Sequence, residues 1–372
     1  NYGNWLLPLA CLISCGLIIQ LQWPLPPADF FNDLNSLPIE ALLVREAALP
    51  RMLMALLAGG SLALASTLLQ QAMRNPLAAD STLAVSSGAQ TALLLATLFA
   101  PTLLIHGSGT LALAGALCSL LVVLWLSAKR SWQPLSVVLI GLVVSLYLGA
   151  VNGILMLFYS EEARSIMQWS SGSLVQDGWQ DVQGLATRAL LAFVAIAVLA
   201  KPLSMLGLGD EQAQSLGVPV IPLRLGGLLI AAFLSASVVS MVGMMGFAGL
   251  AAAAASKHIG LRTFSAQAIA AFFIGALLLL LTDSVLQNIE LQTGWLLSTG
   301  AITAFIGAPL LLWLIFRSLP KPLVQNHKEY AHIAPFSRPT IGIMMVLAVV
   351  VLLVSLWVAQ DANGWHVNLN WD

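Results

Sequence analysis

The run LSVVLIGLVVSLYLGAVNGILMLF, residues 135–158, decides what kind of fold this chain can adopt. It contains no charged side chain, and polar residues do not alternate with apolar ones as they would in a half-buried strand. A helix of this length extends about 36 Å at about 1.5 Å per residue, more than the roughly 30 Å of a bilayer's hydrocarbon core. The run therefore predicts a membrane-spanning α-helix.

The composition of the whole chain supports the same interpretation. Of its 372 residues, 59% are hydrophobic and 8% are charged, and the mean hydropathy is +0.91. A soluble domain carries about 25% charged residues to keep its surface solvated, so a soluble globular protein is excluded. Only helices and closed barrels satisfy their backbone groups in lipid, and long runs without alternation favour helices. The predicted fold class is an all-α, polytopic membrane protein.

Apolar runs divide the chain into about ten predicted transmembrane helices. They lie at 5–22, 50–72, 88–105, 110–128, 135–158, 185–204, 222–241, 243–257, 266–284 and 298–316. A polar linker then leads to an eleventh run at 340–359, and the segment after it resembles the outside segment that follows the first helix. We therefore predict a ten-helix module at 1–317, a cytoplasmic linker at 318–339, and the start of a truncated second module at 340–372, as in transporters built from internal repeats.

The distribution of Lys and Arg predicts the orientation, because these residues are in excess in short cytoplasmic loops. With a cytoplasmic N-terminus, eleven of the 15 basic residues fall inside and four outside. The inside set is Arg74, Lys129, Arg130, Lys201, Arg224, Lys257, Arg262, Arg317, Lys321, Lys328 and Arg338. We predict that the N-terminus is cytoplasmic.

Motifs of soluble enzymes are missing from the sequence. There is no glycine-rich nucleotide loop, no zinc-binding His-Glu-x-x-His helix, and no basic stripe for nucleic acid. The main ionisable group within a predicted helix is Asp283, and no intramembrane partner for it is visible in the sequence. Transport powered by this chain alone is therefore poorly supported, although a proton-coupled secondary transporter and an intramembrane enzyme stay open as alternatives.

Three segments between or within the helices are more informative. RNPLAADSTLAVSSGA, residues 74–89 and here named the signature loop, separates two apolar helices and is rich in small and polar residues. LGLGDEQAQSLGVPVIPLR, residues 206–224, predicts two short helices hinged at Gly217. This loop is larger than a simple connection between two helices needs. VGMMGFAGLAAAAASKHIG, residues 242–260, predicts one helix with a face of glycines at 243, 246 and 249 that packs closely on a neighbour. This face serves either helix packing only or a moving joint, and the residues do not favour one over the other.

These segments resemble the permease subunits of bacterial ATP-binding-cassette importers for iron-siderophore complexes, heme and vitamin B12. The stretch GDEQAQSLGV, residues 209–218 and here named the coupling segment, is similar to that family's cytoplasmic coupling segment. ALPRMLMALLAGGSLALAS at 48–66 and STGAITAFIGAPLLLWL at 298–314 are similar to its second and last helices. The tail beyond residue 317 resembles that of fused double permeases for ferric hydroxamates. The signature loop matches the family pattern at Asn75, Pro76, Leu77, Ala78, Asp80, Ser86 and Gly88.

The resemblance implies a transport subunit and not an enzyme, with no catalytic residue, metal ligand or cofactor on this chain. It would pass a ferric hydroxamate or similar iron chelate across the bacterial inner membrane, driven by ATP on separate ATPase subunits. Other implied partners are a periplasmic siderophore-binding protein and a second permease half, fused or separate. Arg51 would dock the binding protein, or equally would anchor to a lipid headgroup. The residues implied to contact the ATPase are Asp210, Glu211, Ala213, Leu216 and Gly217.

The sequence departs from the family pattern at several points. Ser81 follows Asp80 where a proline is usual, and Ala84 replaces a common glycine. Ala48 stands where many members carry a second arginine near Arg51. After Leu250 the usual Pro-His pair is replaced by a run of alanines. We expect such altered motifs in one half of a pseudo-symmetric pair, where the other half keeps the stricter version.

Overall fold

The computed structural model describes residues 39–129, 132–207, 209–259, 261, 263–293, 297–318, 358–361 and 364–367. The predicted first helix at 5–22 lies outside the described residues, as do nearly all of the predicted linker and most of the predicted eleventh helix. The chain divides into two compact units between Leu319 and Pro320. The predicted second module at 340–372 stays a prediction.

The first unit is built from helices wherever it is described. Its α-helices are α1 (Ile39–Leu43), α2 (Leu49–Met73), α3 (Val85–Phe99), α4 (Ser108–Ala128), α5 (Pro134–Phe158), α6 (Arg164–Ser170), α7 (Gln180–Leu206), α8 (Asp210–Ser215), α9 (Val220–Val242), α10 (Ala248–His258), α11 (Phe264–Thr293) and α12 (Thr299–Ser318). A π-helical turn, Val44–Ala48, joins α1 to α2. Two 3₁₀ turns, Asp80–Leu83 and Pro101–His106, flank α3.

Six helical segments in the described part of the chain are long and apolar enough to cross a membrane. They are Val44–Met73, Ser108–Ala128, Pro134–Phe158, Gln180–Leu206, Val220–Val242 and Phe264–Glu290. Val85–Phe99 is apolar but shorter. The protein is therefore a helical, polytopic membrane protein. The predicted total of ten spanning helices stays a prediction.

Helix α2 lies at the centre of the first unit and packs against α9, α10 and α11. Its close approach to α11 depends on two glycines, because a Cβ added at Gly59 or at Gly275 would collide with the other's backbone carbonyl. Gly249 of α10 likewise lies against the carbonyl of Leu62. Small residues let helix backbones meet in lipid, where no hydrophobic force drives helices together.

Helix α5 has the opposite environment. Leu139, Leu146 and Leu157 are among its many exposed apolar side chains, and few of its residues are buried. Such a face is stable beside hydrocarbon or beside another apolar helix, and it would be unfavourable in water.

The predicted helix at 243–257 is wrong in its first part. Helix α9 ends at Val242, and the backbone then turns through positive φ angles of 76° at Gly243 and 62° at Phe247 before α10 begins at Ala248. Of the three glycines predicted to form one helical face, only Gly249 lies in a helix. A side chain at Gly243 would collide with the carbonyl of Trp169.

The predicted helix at 88–105 begins earlier and ends sooner. Helix α3 starts at Val85 and stops at Phe99, and a 3₁₀ turn follows from Pro101. Proline has no N–H to continue the α-helical ladder, which explains this break.

The second unit contributes a two-stranded antiparallel sheet. Strand β1 (Val358–Asp361) pairs with β2 (Gly364–Val367), and Val358 lies opposite Val367. The prediction of a helix as far as residue 359 is therefore wrong at its last two positions.

Candidate functional site

The coupling segment folds into one short helix between two long ones. Helix α8 begins after Gly209, whose φ is 121°, and the chain leaves it through Gly217, whose φ is 79°. The amide of Val218 donates a hydrogen bond to the carbonyl of Ala213 at 3.0 Å, which closes the turn. Both glycines occupy conformations that other residues adopt only with strain. The second short helix predicted beyond Gly217 is wrong, since those residues begin α9.

Asp210, the first residue of α8, is anchored to Arg224 of α9. The Nη2 of Arg224 donates to both carboxylate oxygens of Asp210, at 2.7 and 2.9 Å. Arg74 lies 3.9 Å from the same carboxylate. The side chain of Asp210 is 39% exposed and that of Arg224 only 3%. Asp210 was predicted to contact a partner, and the structure shows that much of its hydrogen-bonding capacity is used within the chain.

The rest of α8 divides into an anchored side and an exposed side. Ala213 is fully buried, so it holds the helix against the protein and does not present a contact surface. Glu211, Leu216 and Gly217 are exposed, and Leu216 is 59% exposed. Gln212 and Gln214 share this exposure, although the sequence analysis did not single them out. We name the exposed set the α8 face: Glu211, Gln212, Gln214, Ser215, Leu216 and Gly217.

The signature loop is packed between helices. It leaves α2 at Arg74 in the left-handed conformation, and Asn75 Oδ1 accepts a hydrogen bond from the amide of Leu77 at 2.9 Å. Ala78 is buried, whereas Pro76 and Leu77 are exposed. Gly88 in α3 lies against Ser119 and Gly115 of α4, where a Cβ would collide. The loop therefore fixes the spacing between α2, α3 and α4.

Ala84 takes a left-handed conformation, with φ of 60°. Its carbonyl accepts a hydrogen bond from Ser119 Oγ at 2.8 Å, which holds the strained turn in place. Glycine adopts this conformation freely, whereas alanine does so at a cost of about 1 kcal/mol. The glycine that the family resemblance leads us to expect here would relieve this strain.

Asp80 and Ser86 face a cavity of about 150 Å³ beside the break between α9 and α10. Ser86 Oγ donates to Asp80 Oδ2 at 2.8 Å. Met244 and Phe247 from the break also line the cavity. Burial raises the pKa of the Asp80 carboxyl, and the hydrogen bond from Ser86 opposes that rise. The signature loop and the segment 243–247 are thus neighbours, which the sequence did not indicate.

Replacing Asp80 by asparagine is expected to raise the melting temperature of the purified protein near neutral pH. A carboxyl whose pKa is raised on folding destabilises the folded state while it is ionised. That penalty disappears as the pH falls through the raised folded value towards the unfolded value of 3.8. Asparagine can still accept the hydrogen bond from Ser86. The measurement is the melting-temperature difference between variant and parent from about pH 8 to about pH 4. A stabilising difference that grew as the pH fell would contradict the assignment.

Arg51, which is partly buried, and Asp283, which is buried, form an ion pair that joins α2 to α11. Arg51 Nε and Nη2 each donate to one oxygen of Asp283, both at 2.9 Å. Gln287 and Thr299 also donate to this carboxylate, at 2.8 and 3.1 Å. The carboxylate of Asp283 is only 1% exposed. The expectation that Asp283 lacks an intramembrane partner is therefore wrong. The predicted docking role of Arg51 stays a prediction, and two of its three nitrogens are already engaged.

Three functional side chains were missed or misplaced by sequence reasoning. Arg224 was assigned to an inside loop, but it is buried in α9, where it is the sole charged residue. A lone arginine in an apolar helix is a signal that could have found it. Gln287 and Thr299 carried no such signal. Among the described residues, no cluster of three or more His, Cys, Asp or Glu side chains could hold a metal ion.

Comparison with known proteins gives consistent matches over most of the chain. The model of the FecCD transport family matches residues 6–317. The chain is 37% identical over 337 residues to the iron(3+)-hydroxamate import system permease protein FhuB of Escherichia coli strain K12, covering 88% of this chain and 50% of that protein. It is 32% identical to the Fe(3+)-citrate import system permease protein YfmE of Bacillus subtilis strain 168, covering 73% of this chain and 81% of that one.

A solved structure of an inward-facing ABC transporter of the metal-chelate type has the same fold. It superposes with a TM-score of 0.71 at 26% identity, covering 84% of this chain and 97% of its own. The chain spans about half the length of its FhuB relatives. These matches confirm the resemblance found in the four motifs. Because the family model covers most of the chain and several relatives exceed 30% identity over most of their length, this chain belongs to the FecCD transport family.

Proposed function

We propose that this chain is the permease part of an ATP-driven importer that moves a ferric hydroxamate or similar iron chelate across the bacterial inner membrane. ATP would be bound and hydrolysed by separate ATPase subunits. A periplasmic binding protein would deliver the chelate. A second permease half, fused or separate, would complete the pathway, which agrees with the half-length match to FhuB. The N-terminus and the α8 face would be cytoplasmic.

The observation that carries this proposal is the way in which the α8 face is held by buried contacts to the rest of the protein. A short helix with an exposed polar and apolar surface is fixed at its first residue by the Asp210–Arg224 pair and along its inner side by Ala213. A loop that only connected two helices would not need buried anchors. An exposed helix that is anchored in this way is suited to pass a movement of a bound protein on to the rest of the chain.

The geometry around Asp283 disfavours a proton-coupled secondary transporter. A proton-carrying carboxylate must release and take up its proton during each cycle. Asp283 instead accepts hydrogen bonds from Arg51, Gln287 and Thr299. These bonds join α2, α11 and the start of α12 at Asp283, which is the arrangement of a group that holds helices together and not of a free proton carrier.

Reconstitution of the full-length permease in proteoliposomes tests the proposal. The ATPase subunits are enclosed with ATP, and the binding protein loaded with ferric hydroxamate is supplied on the other side. We expect chelate uptake that requires ATP and persists when the proton gradient is collapsed. Uptake that followed the proton gradient without ATP would overturn the proposal in favour of a secondary transporter.

Substitutions on the α8 face are expected to uncouple transport while leaving the protein folded. Gly217→Phe forces a bulky side chain into a left-handed position on that face, and Glu211→Lys reverses the charge next to the anchor. We expect uptake to fall about tenfold in each, because about 1.4 kcal/mol of lost interaction corresponds to a tenfold change. The measurement is ATP-dependent uptake together with the melting temperature.

Matched variants separate coupling from folding. Gly226→Phe places the same bulk in α9, where a Cβ meets nothing within 4 Å and φ is not positive, so uptake should stay normal. Glu211→Gln removes the charge without reversing it and should give an intermediate result. Normal uptake in both Gly217→Phe and Glu211→Lys would remove α8 from the coupling surface.

A further inference from the structure

One buried side chain connects the coupling segment to three other parts of the protein. Besides its two bonds to Asp210, Arg224 donates from Nε to the carbonyl of Ala72 at 3.1 Å. Its Nη1 donates to the carbonyl of Trp132 at 3.4 Å. Ala72 lies in the last turn of α2, and Trp132 lies in the turn before α5. Four segments therefore meet at a single guanidinium group.

Burying an arginine costs free energy unless its donors and its charge are matched. All three nitrogens of Arg224 that bear N–H groups have partners on the chain, which accounts for its burial at 3% exposure. The carbonyl of Ala72 is one that a helix leaves without an intrahelical partner at its C-terminus, so Arg224 also caps α2. The planar guanidinium group can donate from its three nitrogens in three different directions. A lysine ammonium is a single point and cannot do so with the same geometry.

The positions of these contacts suit Arg224 to transmit a movement of α8, and not only to anchor that helix. The segment immediately beyond Ala72 is the signature loop, which begins at Arg74. The segment immediately beyond Trp132 is α5, which begins at Pro134. A second contact joins the end of α2 to α7, the helix that precedes the coupling segment, since Gln71 Nε2 donates to the carbonyl of Leu203 in the last turns of α7. A displacement of α8 would therefore reach the end of α2 and the start of α5 through direct hydrogen bonds.

We propose that Arg224 is a positioning residue that transmits movement of the coupling segment to the signature loop and to the start of α5. This inference rests on the proposed function, because it assigns a route to the coupling between ATPase and permease. Arg224 contacts neither the ATPase nor the chelate on this proposal. It acts through Asp210 on one side and through the carbonyls of Ala72 and Trp132 on the other.

The test measures the number of ATP molecules hydrolysed for each chelate transported by the reconstituted complex. Arg224→Met keeps an unbranched apolar stem but removes every donor. We expect about ten times more ATP per chelate, because hydrogen bonds to a charged group of this kind are each worth enough for about a tenfold effect. Arg224→Lys keeps the charge but not the fork and should give a smaller increase. Binding of the ATPase subunits is measured in parallel, because a variant that no longer binds them reports on assembly and not on transmission.

Two further variants make the result specific. Lys201→Met removes an exposed cation from α7 and should leave the ATP-to-chelate ratio unchanged. Asp210→Asn should raise the ratio, and the double variant Asp210→Asn/Arg224→Met should be no worse than Arg224→Met alone, because both changes break the same connection.

The outcomes distinguish this inference from the proposed function. If the unsubstituted complex shows no ATP-dependent uptake, the proposed function itself fails. If the unsubstituted complex is coupled and Arg224→Met and Arg224→Lys keep the same ratio, only the transmission role fails. If both variants lose ATPase binding together with transport, or neither accumulates in the membrane, Arg224 serves assembly or folding and the proposal is overturned. Where Arg224→Met alone fails to accumulate, the ratio for Arg224→Lys decides.

Discussion

Replacing Asp283 by alanine is expected to destabilise the protein by about 3 kcal/mol, the lower end for breaking a buried pair, since it leaves the guanidinium of Arg51, which is 15% exposed, without its counter-charge. The same change removes the acceptor for Gln287 and Thr299. The pair joins residues 232 positions apart, so the loss of Asp283 weakens the contacts of α11 with α2 and with the start of α12. The measurement is the thermal unfolding midpoint of the detergent-purified protein, read by tryptophan fluorescence.

The double variant Arg51→Met/Asp283→Leu is the matched control. It removes both charges and replaces them with apolar side chains of similar size, which is often neutral or stabilising for a buried pair. We expect its melting temperature to return close to that of the parent. If Asp283→Ala melts like the parent, the ion pair does not contribute to the fold. If the double variant is folded but no longer binds the periplasmic partner, the predicted docking role of Arg51 gains direct support.

A leucine in place of Gly275 is expected to separate α2 from α11 and to cost about 3 kcal/mol or more, the upper range for overpacking a well-packed core. A Cβ at this position would collide with the carbonyl of Gly59 and with the side chain of Ala63. Neither contact can move away cheaply, because both belong to the central helix of the unit. The loss should appear as a lower melting temperature and a lower yield of protein in the membrane.

Gly149→Leu and Gly153→Leu provide the comparison for this variant. Both glycines lie in α5, and a Cβ at either position meets nothing within 4 Å. Leucine is the better helix former by about 0.8 kcal/mol, so these variants should be as stable as the parent or slightly more stable. Equal losses at Gly275 and Gly149 would show that the close approach of α2 and α11 does not support the fold.

The sequence alone was sufficient for the helical class and for most helix positions. Runs such as 135–158 have no structural alternative in a membrane, because backbone groups in lipid must be satisfied within the segment. The short motifs were sufficient for the family, since the signature loop and the coupling segment occur in the right order with specific residues. The helix prediction was wrong locally at 243–247, where Gly243 takes a positive φ and Gly246 lies outside any helix.

Only the tertiary structure decided which polar groups meet. Arg51 bonds to Asp283, and Arg224 bonds to the carbonyls of Ala72 and Trp132. These partners are 92 to 232 residues apart in sequence, and no local pattern encodes such contacts. Soluble helices reveal their buried face through an apolar stripe, because their other face must be polar. A helix in lipid is apolar on every side, so α2 at the centre and α5 at the periphery look alike in sequence. The difference in burial between α2 and α5 arises from close packing between helix backbones at small residues. The same packing sets the proposed route from α8 to the signature loop.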